Sequence, residues 1–496
     1  MNLRYPGHQP TGRPDFDRGF VHAMGLARRC LRVDSRQVRP GDVFAAIPGH
    51  HTDGRRFIAD AIGAGASAVL WDPSGLAAPD LDVPHQAVPD LAWRLGWIAA
   101  EMAGHPGRSL WTVGITGTNG KTTCSHWLSQ GLSRNGRRCA RIGTLGYGID
   151  TLTPLANTTP DGAHLQTILR DVRDDGATAL AMEVSSHGLA QGRVHGIEFD
   201  VAVFTNLTRD HLDYHGSLEA YGEAKARLFH WDGLQHAVVV TDQDFGAHLA
   251  ASIDRSRTEV VTVGRHAEVR PSQVRTSDAG LRFRLDSPWG EAEVESALVG
   301  LFNVDNLSCV LTTLLVSGVP LEQAVAAARD FLPVEGRMQV LRHEGAPTVV
   351  VDYAHTPDAL EQALASLRPS LSADARLHCL FGCGGDRDPG KRSLMGAVAS
   401  RLADCAVVTS DNPRSEDPQS IIDAILTGVT NPDRVTVEPD RARAIALAVA
   451  AAAPGDIVLL AGKGHETTQE IAGRKLPFSD IAHARAALEQ WEAPRD

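Results

Sequence analysis

The stretch "VGITGTNGKTT", Val113–Thr123, runs from an apolar strand through a glycine turn into a helix. Apolar residues at helical spacing follow it, and Asn135-Gly136 supplies an end for that helix. The first turn of a helix presents free N–H groups and a partial positive charge, and both favour phosphate. The stretch therefore predicts a phosphate site of the strand–loop–helix type in an α/β fold with a parallel sheet.

The glycines and the lysine of this loop have separate predicted roles. Gly117 and Gly120 let the backbone approach a ligand. Lys121 can reach the terminal phosphates, and the Thr122 hydroxyl can hold Mg²⁺. The general pattern G-x-x-x-x-G-K-[ST] would put its first glycine at Ile115, so the match is incomplete and an accidental turn is the alternative. The strand–loop–helix context favours phosphate binding.

The bulk composition is that of an ordinary globular protein. The 496 residues are 43% hydrophobic and 22% charged, which predicts two to four domains. With 48 basic and 60 acidic residues the net charge is −12, so a global basic surface for nucleic acid is excluded. A small basic site for an anionic metabolite is compatible with this charge.

Cysteine usage and the apolar runs indicate a reducing compartment. The seven cysteines are scattered, without a C-x-x-C pair, which argues against a zinc ribbon or a disulfide framework. The N-terminus has no apolar signal-peptide core, and no apolar run approaches the ~20 residues of a membrane helix. We expect a soluble, cytoplasmic protein without membrane insertion.

Three mixed α/β zones follow one another at about residues 1–90, 91–335 and 336–496. The third zone alternates short apolar strands with helical patterns, which predicts a mainly parallel, Rossmann-like sheet covered on both faces. Between Val260 and Val294 the residues alternate in polarity and glycine turns appear, which predicts an antiparallel excursion within the second zone.

Two strand ends near the loop carry groups that could bind a metal. Glu183 follows one apolar strand directly, and the segment after the next strand contains His211 among other metal-capable groups. A single histidine is more often structural, so for His211 both readings stay open. Lys225 shares a helical stripe with Leu218 and Tyr221, and burial would lower its pKa. A neutral amine can react with CO₂ to form a metal-binding carbamate, but the spacing alone favours a snorkelling lysine.

A charged turn, "SDNPRSEDP" at Ser410–Pro418, begins at the carboxyl end of a strand in the third zone. Parallel sheets bind ligands at that edge, which makes Arg414 a candidate for reading a ligand. We expect Glu416 and Asp417 to cap the following helix.

Together these segments resemble the Mur ligases, the ATP-dependent amide-forming enzymes of peptidoglycan synthesis. The resemblance spans nearly the whole chain and is most specific to the MurE branch, which adds the third amino acid to UDP-MurNAc-L-Ala-D-Glu. The family also uses the "TGTNGKT" form of the loop, which accounts for Ile115. The matching stretches are "DSRQVRPGDVF", "GITGTNGKTT", "NTTPD", "MEVSSHGLAQGRV", "NLTRDHLDYHG", "YGEAKARLF", "LFNVDNL", "VDYAHTPDAL", "GCGGDRDPGKR", "DNPRSEDP" and "GKGHE".

The resemblance implies a role for each matching position. ATP would be bound by Gly117, Thr118, Asn119, Gly120, Lys121, Thr122, Thr123, Asn303, Arg337 and Asp352. Mg²⁺ would be held by Thr122, Glu183, His211 and Lys225 as its carbamate, and the catalytic set would be Lys121, Glu183, His211 and Lys225. The UDP-sugar peptide would lie between the first two domains on Ser35, Asn157, Thr158, Thr159, Ser185, Gln191 and Arg193. The incoming amino acid would contact Arg387, Asp411, Asn412, Pro413, Arg414, Gly462 and Glu466 in the third domain.

The form "DNPR" is associated in this family with enzymes that add meso-diaminopimelate instead of L-lysine. A guanidinium at Arg414 would hold the distal carboxylate that lysine lacks, and Arg387 would hold the other carboxylate. The alternatives are a lysine-adding member, a ligase like folylpolyglutamate synthase, a P-loop switch, and a nucleotide-binding module without catalysis. "DNPR" and "GKGHE" speak against the folylpolyglutamate reading. We expect a monomer.

Overall fold

The computed structural model describes residues 19–49, 52–277 and 280–491. The described elements fall into three successive stretches of chain, each built around its own sheet. Most strand pairs in these sheets are parallel, which confirms the predicted α/β class.

The first sheet has four parallel strands in the order β1-β2-β3-β4. Along β2, Val43 and Ala45 lie in one buried cluster and Phe44 in another, so both faces are covered. The strands are β1 (Leu31–Arg32), β2 (Val43–Ala46), β3 (Ala68–Trp71) and β4 (His85–Ala87). The helices of this stretch are α1 (Gly19–Ala23), α2 (Ile58–Gly63) and α3 (Leu91–Ala103).

Helix α3 joins the first sheet to the second stretch. Its buried residues Leu95 and Ile98 share a cluster with strand residues of the first sheet. At Gly96 the helix passes so close to the next stretch that a Cβ would lie 2.1 Å from the carbonyl oxygen of His195. The sequence assigned this helix to the second zone, and the three domain boundaries stay predictions.

The second sheet has seven strands in the order β11-β10-β9-β5-β8-β6-β7, with only β7 antiparallel to its neighbour. Along β8, Ala181 faces one core while Leu180 and Met182 face the other. The strands are β5 (Trp111–Thr116), β6 (Cys139–Gly143), β7 (Gly146–Gly148), β8 (Ala179–Glu183), β9 (Val201–Phe204), β10 (His236–Val240) and β11 (Glu259–Val263). The helices are α4 (Lys121–Arg134), α5 (Gly162–Asp174), α6 (Ser186–Ala190), α7 (Leu212–His215), α8 (Leu218–Ala226), α9 (Asp244–Ser252), α10 (Asn303–Val316) and α11 (Leu321–Arg329).

A separate antiparallel sheet, in the order β12-β13-β14, confirms the predicted excursion but begins later than expected. The start at Val260 was wrong, because β11 pairs in parallel with β10 along five residues. Val260 and Val261 are both buried, as in a strand covered on both faces. The antiparallel strands are β12 (Arg270–Ser277), β13 (Gly280–Ser287) and β14 (Gly290–Ser296).

The third main sheet has six strands in the order β15-β16-β20-β17-β18-β19, and only β15 is antiparallel. The strands are β15 (Gln339–Leu341), β16 (Thr348–Asp352), β17 (Leu377–Phe381), β18 (Cys405–Val408), β19 (Val435–Val437) and β20 (Ile457–Ala461), with a hairpin of β21 (Thr468–Ile471) and β22 (Arg474–Pro477). The helices are α12 (Pro357–Leu367), α13 (Gly390–Leu402), α14 (Pro418–Leu426), α15 (Arg441–Ala450) and α16 (Asp480–Glu489). Among the described helices, none has the length and apolar character needed to cross a membrane.

A fully buried ion pair supports the carboxyl edge of this third sheet. Arg441 donates from Nε and Nη2 to the two carboxylate oxygens of Asp480, each at 2.7 Å, and both side chains are 0% exposed. The same guanidinium donates to the carbonyl oxygens of Ser410 at 3.4 Å and Ala461 at 3.0 Å. These carbonyls lie just before two loops of the predicted amino-acid site, so the pair fixes where those loops begin.

Replacing Arg441 by methionine should destabilise the protein strongly, because Asp480 would be left buried without a counter-charge. We expect a loss of about 3–5 kcal/mol in the free energy of unfolding, measured by urea denaturation. Arg443→Met on the same helix is the control, since Arg443 is 74% exposed and lies 3.5 Å from Glu438. The control should cost less than about 1 kcal/mol, and equal effects of the two substitutions would contradict the argument.

Candidate active site

The loop between β5 and α4 has a shape that only glycine permits at two positions. Gly117 has φ +145° and Gly120 has φ +86°. A Cβ on Gly117 would lie 2.0 Å from Thr205 Oγ1, and one on Gly120 would lie 2.4 Å from Asn306 Oδ1. Both glycines are therefore required by close contacts within the protein, and their predicted approach to a ligand stays a prediction.

The carboxyl end of β9 holds the loop in place. Thr118 N donates to the carbonyl oxygen of Asn206, and Asn119 N donates to Asn206 Oδ1, both at 2.9 Å. The Thr205 hydroxyl donates to the carbonyl oxygen of Asn119 at 2.6 Å. These contacts hold the loop against the end of β9. Helix α4 follows at once, with Lys121 as its first residue.

Two lysines converge on one carbonyl oxygen of this loop. Lys121 Nζ donates to Gly117 O at 2.9 Å and to Thr118 O at 2.8 Å. Lys225 Nζ donates to the same Gly117 O at 2.8 Å. Burial lowers the pKa of both amines, and for Lys225 the neighbouring charge of Lys121 adds to the effect. An anion at this position would be favoured electrostatically.

Lys225 lies on the apolar face of α8, as the helical stripe predicted, but the snorkelling interpretation that spacing alone favoured was wrong, because its amine is buried against Gly117 O. Its side chain is 1% exposed, and its Nζ lies 4.2 Å from the centre of the Tyr221 ring. Leu218 was wrongly placed on the same stripe, since it is 38% exposed. Leu218 is the first residue of α8, and beyond Ala226 the chain tightens into a 3₁₀ turn at 227–230, so the regular spacing does not extend over the whole segment.

Glu183, at the end of β8, lies beside the first turn of α4. Its Oε2 accepts from Thr122 Oγ1 at 2.9 Å and from Thr144 Oγ1 at 3.1 Å. Its Oε1 accepts from Thr144 N at 3.0 Å. A carboxylate beside a hydroxyl is the hard oxygen set that Mg²⁺ prefers, so these residues fit the ion. Sequence reasoning missed Thr144, whose only signal was its place after the strand β6.

His211 lies on the other side of the loop, at the start of α7. It has φ +52°, its side chain is 45% exposed, and its Nε2 is 3.4 Å from Asp210 Oδ2. Its ring packs edge-on against His187 at 4.8 Å between centroids. Within the described part of the chain, no group of three His, Cys, Asp or Glu residues forms a metal cage. A Mg²⁺ site beside the phosphate loop would therefore depend on Thr122, Glu183 and further ligands.

Three of the predicted nucleotide contacts line a small cavity beside α4. Thr123, Asn303 and Arg337 all line it. Arg337 stacks over the Tyr353 ring at 4.4 Å and its Nη2 is 3.4 Å from Thr122 Oγ1. The remaining lining residues are Trp127, Ala297, Leu298, Val299, Phe302, Pro333, Val334, Met338 and Val340.

Asp352, predicted to contact the nucleotide, accepts hydrogen bonds from backbone N–H groups in the structure. One carboxylate oxygen accepts from Met338 N and the other from Ala354 N, both at 2.8 Å. Burial raises the pKa of Asp352, and the charge of Arg337 opposes that shift. Asp352 therefore ties β16 to the segment that enters the third sheet.

Most predicted UDP-sugar-peptide residues form one connected group. Thr159 Oγ1 donates to Glu183 O at 3.1 Å and accepts from Ser185 N at 3.0 Å. Arg193 donates to Thr159 O and to Gln191 Oε1, both at 2.9 Å. Two further residues stand apart from this hydrogen-bonded group. They are Ser35, in the 3₁₀ turn of the first stretch, and Asn157, in an exposed loop.

The neighbouring Thr158 belongs to the same edge of the sheet. Its hydroxyl is 3.0 Å from that of Thr144, which itself contacts Glu183. Thr158, one of the predicted peptide contacts, is therefore linked to the Glu183 carboxylate through the Thr144 hydroxyl.

A cleft between the second and third sheets collects the predicted amino-acid residues. This feature is called the cleft below. It is lined by Asp210 and His211 from the second stretch of chain and by Arg387 and Arg414 from the third stretch. Pro413 is absent from the lining, and its carbonyl oxygen instead packs against Gly385. The other lining residues are His187, Arg209, Asp213, Tyr353, His355, Thr356, Pro357, Cys383, Gly384, Asp388, Lys391, Asp411, Asn412, Gly462 and Glu466.

Arg414 is held by backbone contacts at the edge of the cleft. It has φ +53°, its N donates to Glu470 O at 3.0 Å, and its Nη1 donates to Gly385 O at 2.6 Å. The guanidinium keeps further N–H donors for a ligand.

The acids that follow Arg414 differ in role. Asp417 caps α14, accepting from Ser420 N at 3.0 Å, as predicted. Glu416 was wrongly expected to cap, because both its oxygens accept from Arg392 Nη2 at 2.8 Å. This ion pair instead ties the charged turn to helix α13.

The fold and the site define a P-loop protein with a nucleotide cradle in its middle sheet and a second binding cleft toward its third sheet. Three family models cover the chain: "Mur ligase family, catalytic domain" at 29–101, "Mur ligase middle domain" at 115–314 and "Mur ligase, glutamate ligase domain" at 336–464. The chain belongs to the Mur ligase family.

Individual relatives agree with this membership. The chain is 53% identical to the UDP-N-acetylmuramoyl-L-alanyl-D-glutamate–2,6-diaminopimelate ligase of Chromobacterium violaceum, over 97% of this chain and 98% of that protein. A solved structure of a ligase with the same name is 39% identical with TM-score 0.67, covering 93% of this chain and 94% of that one. The MurF ligase of Thermotoga maritima shares the fold at 20% identity with TM-score 0.68, covering 94% and 98%.

The buried position of Lys225 predicts that the pKa of its amine lies well below that of an ordinary lysine. The chain has five lysines, so ¹³Cε-lysine labelling gives a simple NMR spectrum. We expect the resonance that is missing in Lys225→Met to titrate well below 10.5, because burial and Lys121 both disfavour the ammonium form. Titration of that resonance at or above 10.5 would contradict this environment.

Proposed function

We propose that the protein is an ATP-dependent ligase that adds meso-diaminopimelate to the D-Glu carboxylate of UDP-MurNAc-L-Ala-D-Glu. The observation that carries the proposal is the cleft, which brings Arg387 and Arg414 to the same space as His211 beside the phosphate loop. The full-length likeness to ligases with this name supports it.

The first chemical step is phosphoryl transfer between two anions. An oxygen of the D-Glu carboxylate would attack the γ-phosphorus of ATP, forming a C–O–P link while the bond from phosphorus to the ADP oxygen breaks. The loop N–H groups and Lys121 would hold the phosphates and offset their charge. Thr122 and Glu183 would hold Mg²⁺, which supplies further charge neutralisation when bound.

Lys225 is proposed as a carbamate in the working enzyme. Its buried amine, with its lowered pKa, is suited to react with CO₂, and the carbamate oxygens would add a negative ligand near His211. The carbamate would also remove the repulsion between Lys225 and Lys121 at the Gly117 carbonyl. A carbamate resonance under ¹³CO₂ that vanishes in Lys225→Met would support this role, and its absence in the unaltered protein would refute it.

The second step consumes the acyl phosphate. An amine of diaminopimelate, once it has lost its proton, would attack the acyl carbon, and phosphate would leave with the former carboxylate oxygen. Water must be kept from this intermediate. Contacts between the second and third stretches of chain would help to exclude water from the cleft. Asn119 Nδ2 donates to Asp358 Oδ2 at 3.4 Å, and Arg209 lies 3.8 Å from Asp388. We place the reaction in the cytoplasm, carried out by a monomer.

The proposal is tested by product formation and ADP release with the UDP-muramoyl dipeptide. We expect both to require diaminopimelate, with L-lysine a poor substitute. Preference for lysine would favour the lysine-adding alternative. ATP hydrolysis that ignores the amino acid would favour a P-loop switch.

Substituting Lys121 by alanine should abolish ligation without unfolding the protein, because its ammonium lies at the phosphate loop. Loss of comparable oxyanion or phosphate contacts lowers kcat by about 10²–10³-fold or more. The exposed Lys475 offers a matched control, and Lys475→Ala should retain full activity. Normal turnover by Lys121→Ala would sink the assignment of the loop.

Substituting Arg414 by alanine should raise the KM for diaminopimelate far more than the KM for ATP. A lost charge-assisted contact costs about 1.5–3 kcal/mol, which is roughly 10- to 100-fold in binding. Arg414→Lys keeps the charge but not the paired donors, so it should recover only part of the affinity. An equal rise in both KM values would show that Arg414 supports the fold and does not read the substrate.

A further inference from the structure

Lysine is rare in this chain, and its few positions are informative. Five lysines stand among 48 basic residues, so arginine supplies nearly all of the positive charge. Lys121 and Lys225 lie at the phosphate loop and Lys391 lines the cleft, whereas Lys475 is exposed on a hairpin strand. The fifth is Lys463, which is 0% exposed and has no part in the reaction described above.

The ammonium of Lys463 contacts two residues of the predicted amino-acid site. Its Nζ donates to Glu466 Oε2 at 2.7 Å and to Asn412 Oδ1 at 3.1 Å. Asn412 Nδ2 donates to the same Glu466 Oε2 at 2.8 Å. One carboxylate oxygen is thereby held by two donors from within the protein, while Glu466 itself lines the cleft.

Asn412 connects Lys463 to two other residues of this region. Its Oδ1 accepts from Lys463 and from Glu470 N at 2.9 Å, and its Nδ2 is directed at Glu466. The Asn412 side chain is buried, and both of its polar atoms hydrogen-bond within the protein. Lys463 is the charged centre that joins the loop after β18 to the loop after β20.

We propose that Lys463 is a positioning residue for amino-acid recognition. It fixes one oxygen of Glu466, so that the other is presented to an ammonium group of the amino-acid substrate. It also holds Glu466 in a single orientation, since the buried ammonium makes a charge-assisted hydrogen bond of 2.7 Å to the Glu466 carboxylate. This inference rests on the proposed function and adds a residue to its specificity.

The test compares Lys463→Met, which keeps the length of the side chain, with the exposed control Lys475→Met. Steady-state kinetics would vary diaminopimelate, ATP and the UDP-muramoyl dipeptide in turn. We expect Lys463→Met to raise the KM for diaminopimelate by about tenfold or more, the effect of a lost charge-assisted contact. The KM values for ATP and the dipeptide should stay close to those of the unaltered protein, as should every constant of the control.

A double-mutant cycle with Glu466→Gln shows whether Lys463 acts through Glu466. If it does, the double variant should raise the KM for diaminopimelate no more than the worse single variant. Additive effects would overturn the proposal, as would an unchanged KM for diaminopimelate or equal rises for all three substrates. If Lys463→Met fails to fold, Lys463→Gln removes the charge but retains a donor, and it is held to the same outcomes.

Failure of the proposed function is distinguishable from failure of this inference. An unaltered protein that makes no diaminopimelate-dependent product refutes the function. A diaminopimelate-dependent enzyme whose Lys463→Met variant keeps its KM refutes only the role of Lys463.

Discussion

The carbonyl oxygen of Gly117 accepts hydrogen bonds from both Lys121 and Lys225, and the rest of the site is arranged around that contact. Two desolvated amines at one point repel each other when both are charged. Burial lowers the pKa of each amine, and the nearby acids Glu183 and Asp210 offset part of the positive charge. In the proposed reaction, phosphate oxygens of ATP and a carbamate on Lys225 would complete the balance of charge.

Strand order explains why the necessary groups meet. In the second sheet β5 lies between β8 and β9. The loop after β5, Glu183 at the end of β8 and Asn206 after β9, which accepts a hydrogen bond from the loop, therefore lie at one edge of the sheet. In the third sheet the ends of β17, β18 and β20 form another edge, supported from below by the Arg441–Asp480 pair. The cleft lies where the two edges face each other, so a phosphorylated carboxylate and an incoming amine would be brought together there.

The sequence was informative wherever a function is local along the chain. The loop, the carboxylate at a strand end and the apolar face that carries Lys225 could be predicted from spacing, whereas the full burial of the Lys225 amine could not. Contacts between distant residues could not. Thr144 hydrogen-bonds Glu183, 39 residues further along the chain, and Lys463 hydrogen-bonds Asn412, 51 residues before it. Glu416 pairs with Arg392 and so does not cap the helix as expected. Each depends on how strands pair and loops approach, which no local pattern records.

The most direct test of the account follows oxygen in the first chemical step. The D-Glu carboxylate of the UDP-muramoyl dipeptide is labelled with ¹⁸O, and the inorganic phosphate released during ligation is analysed by mass spectrometry. If the carboxylate attacks the γ-phosphorus, one labelled oxygen enters phosphate for each tripeptide formed. Phosphate that carries only unlabelled oxygen would contradict an acyl-phosphate ligase and would indicate that water is the nucleophile at the phosphate cradle.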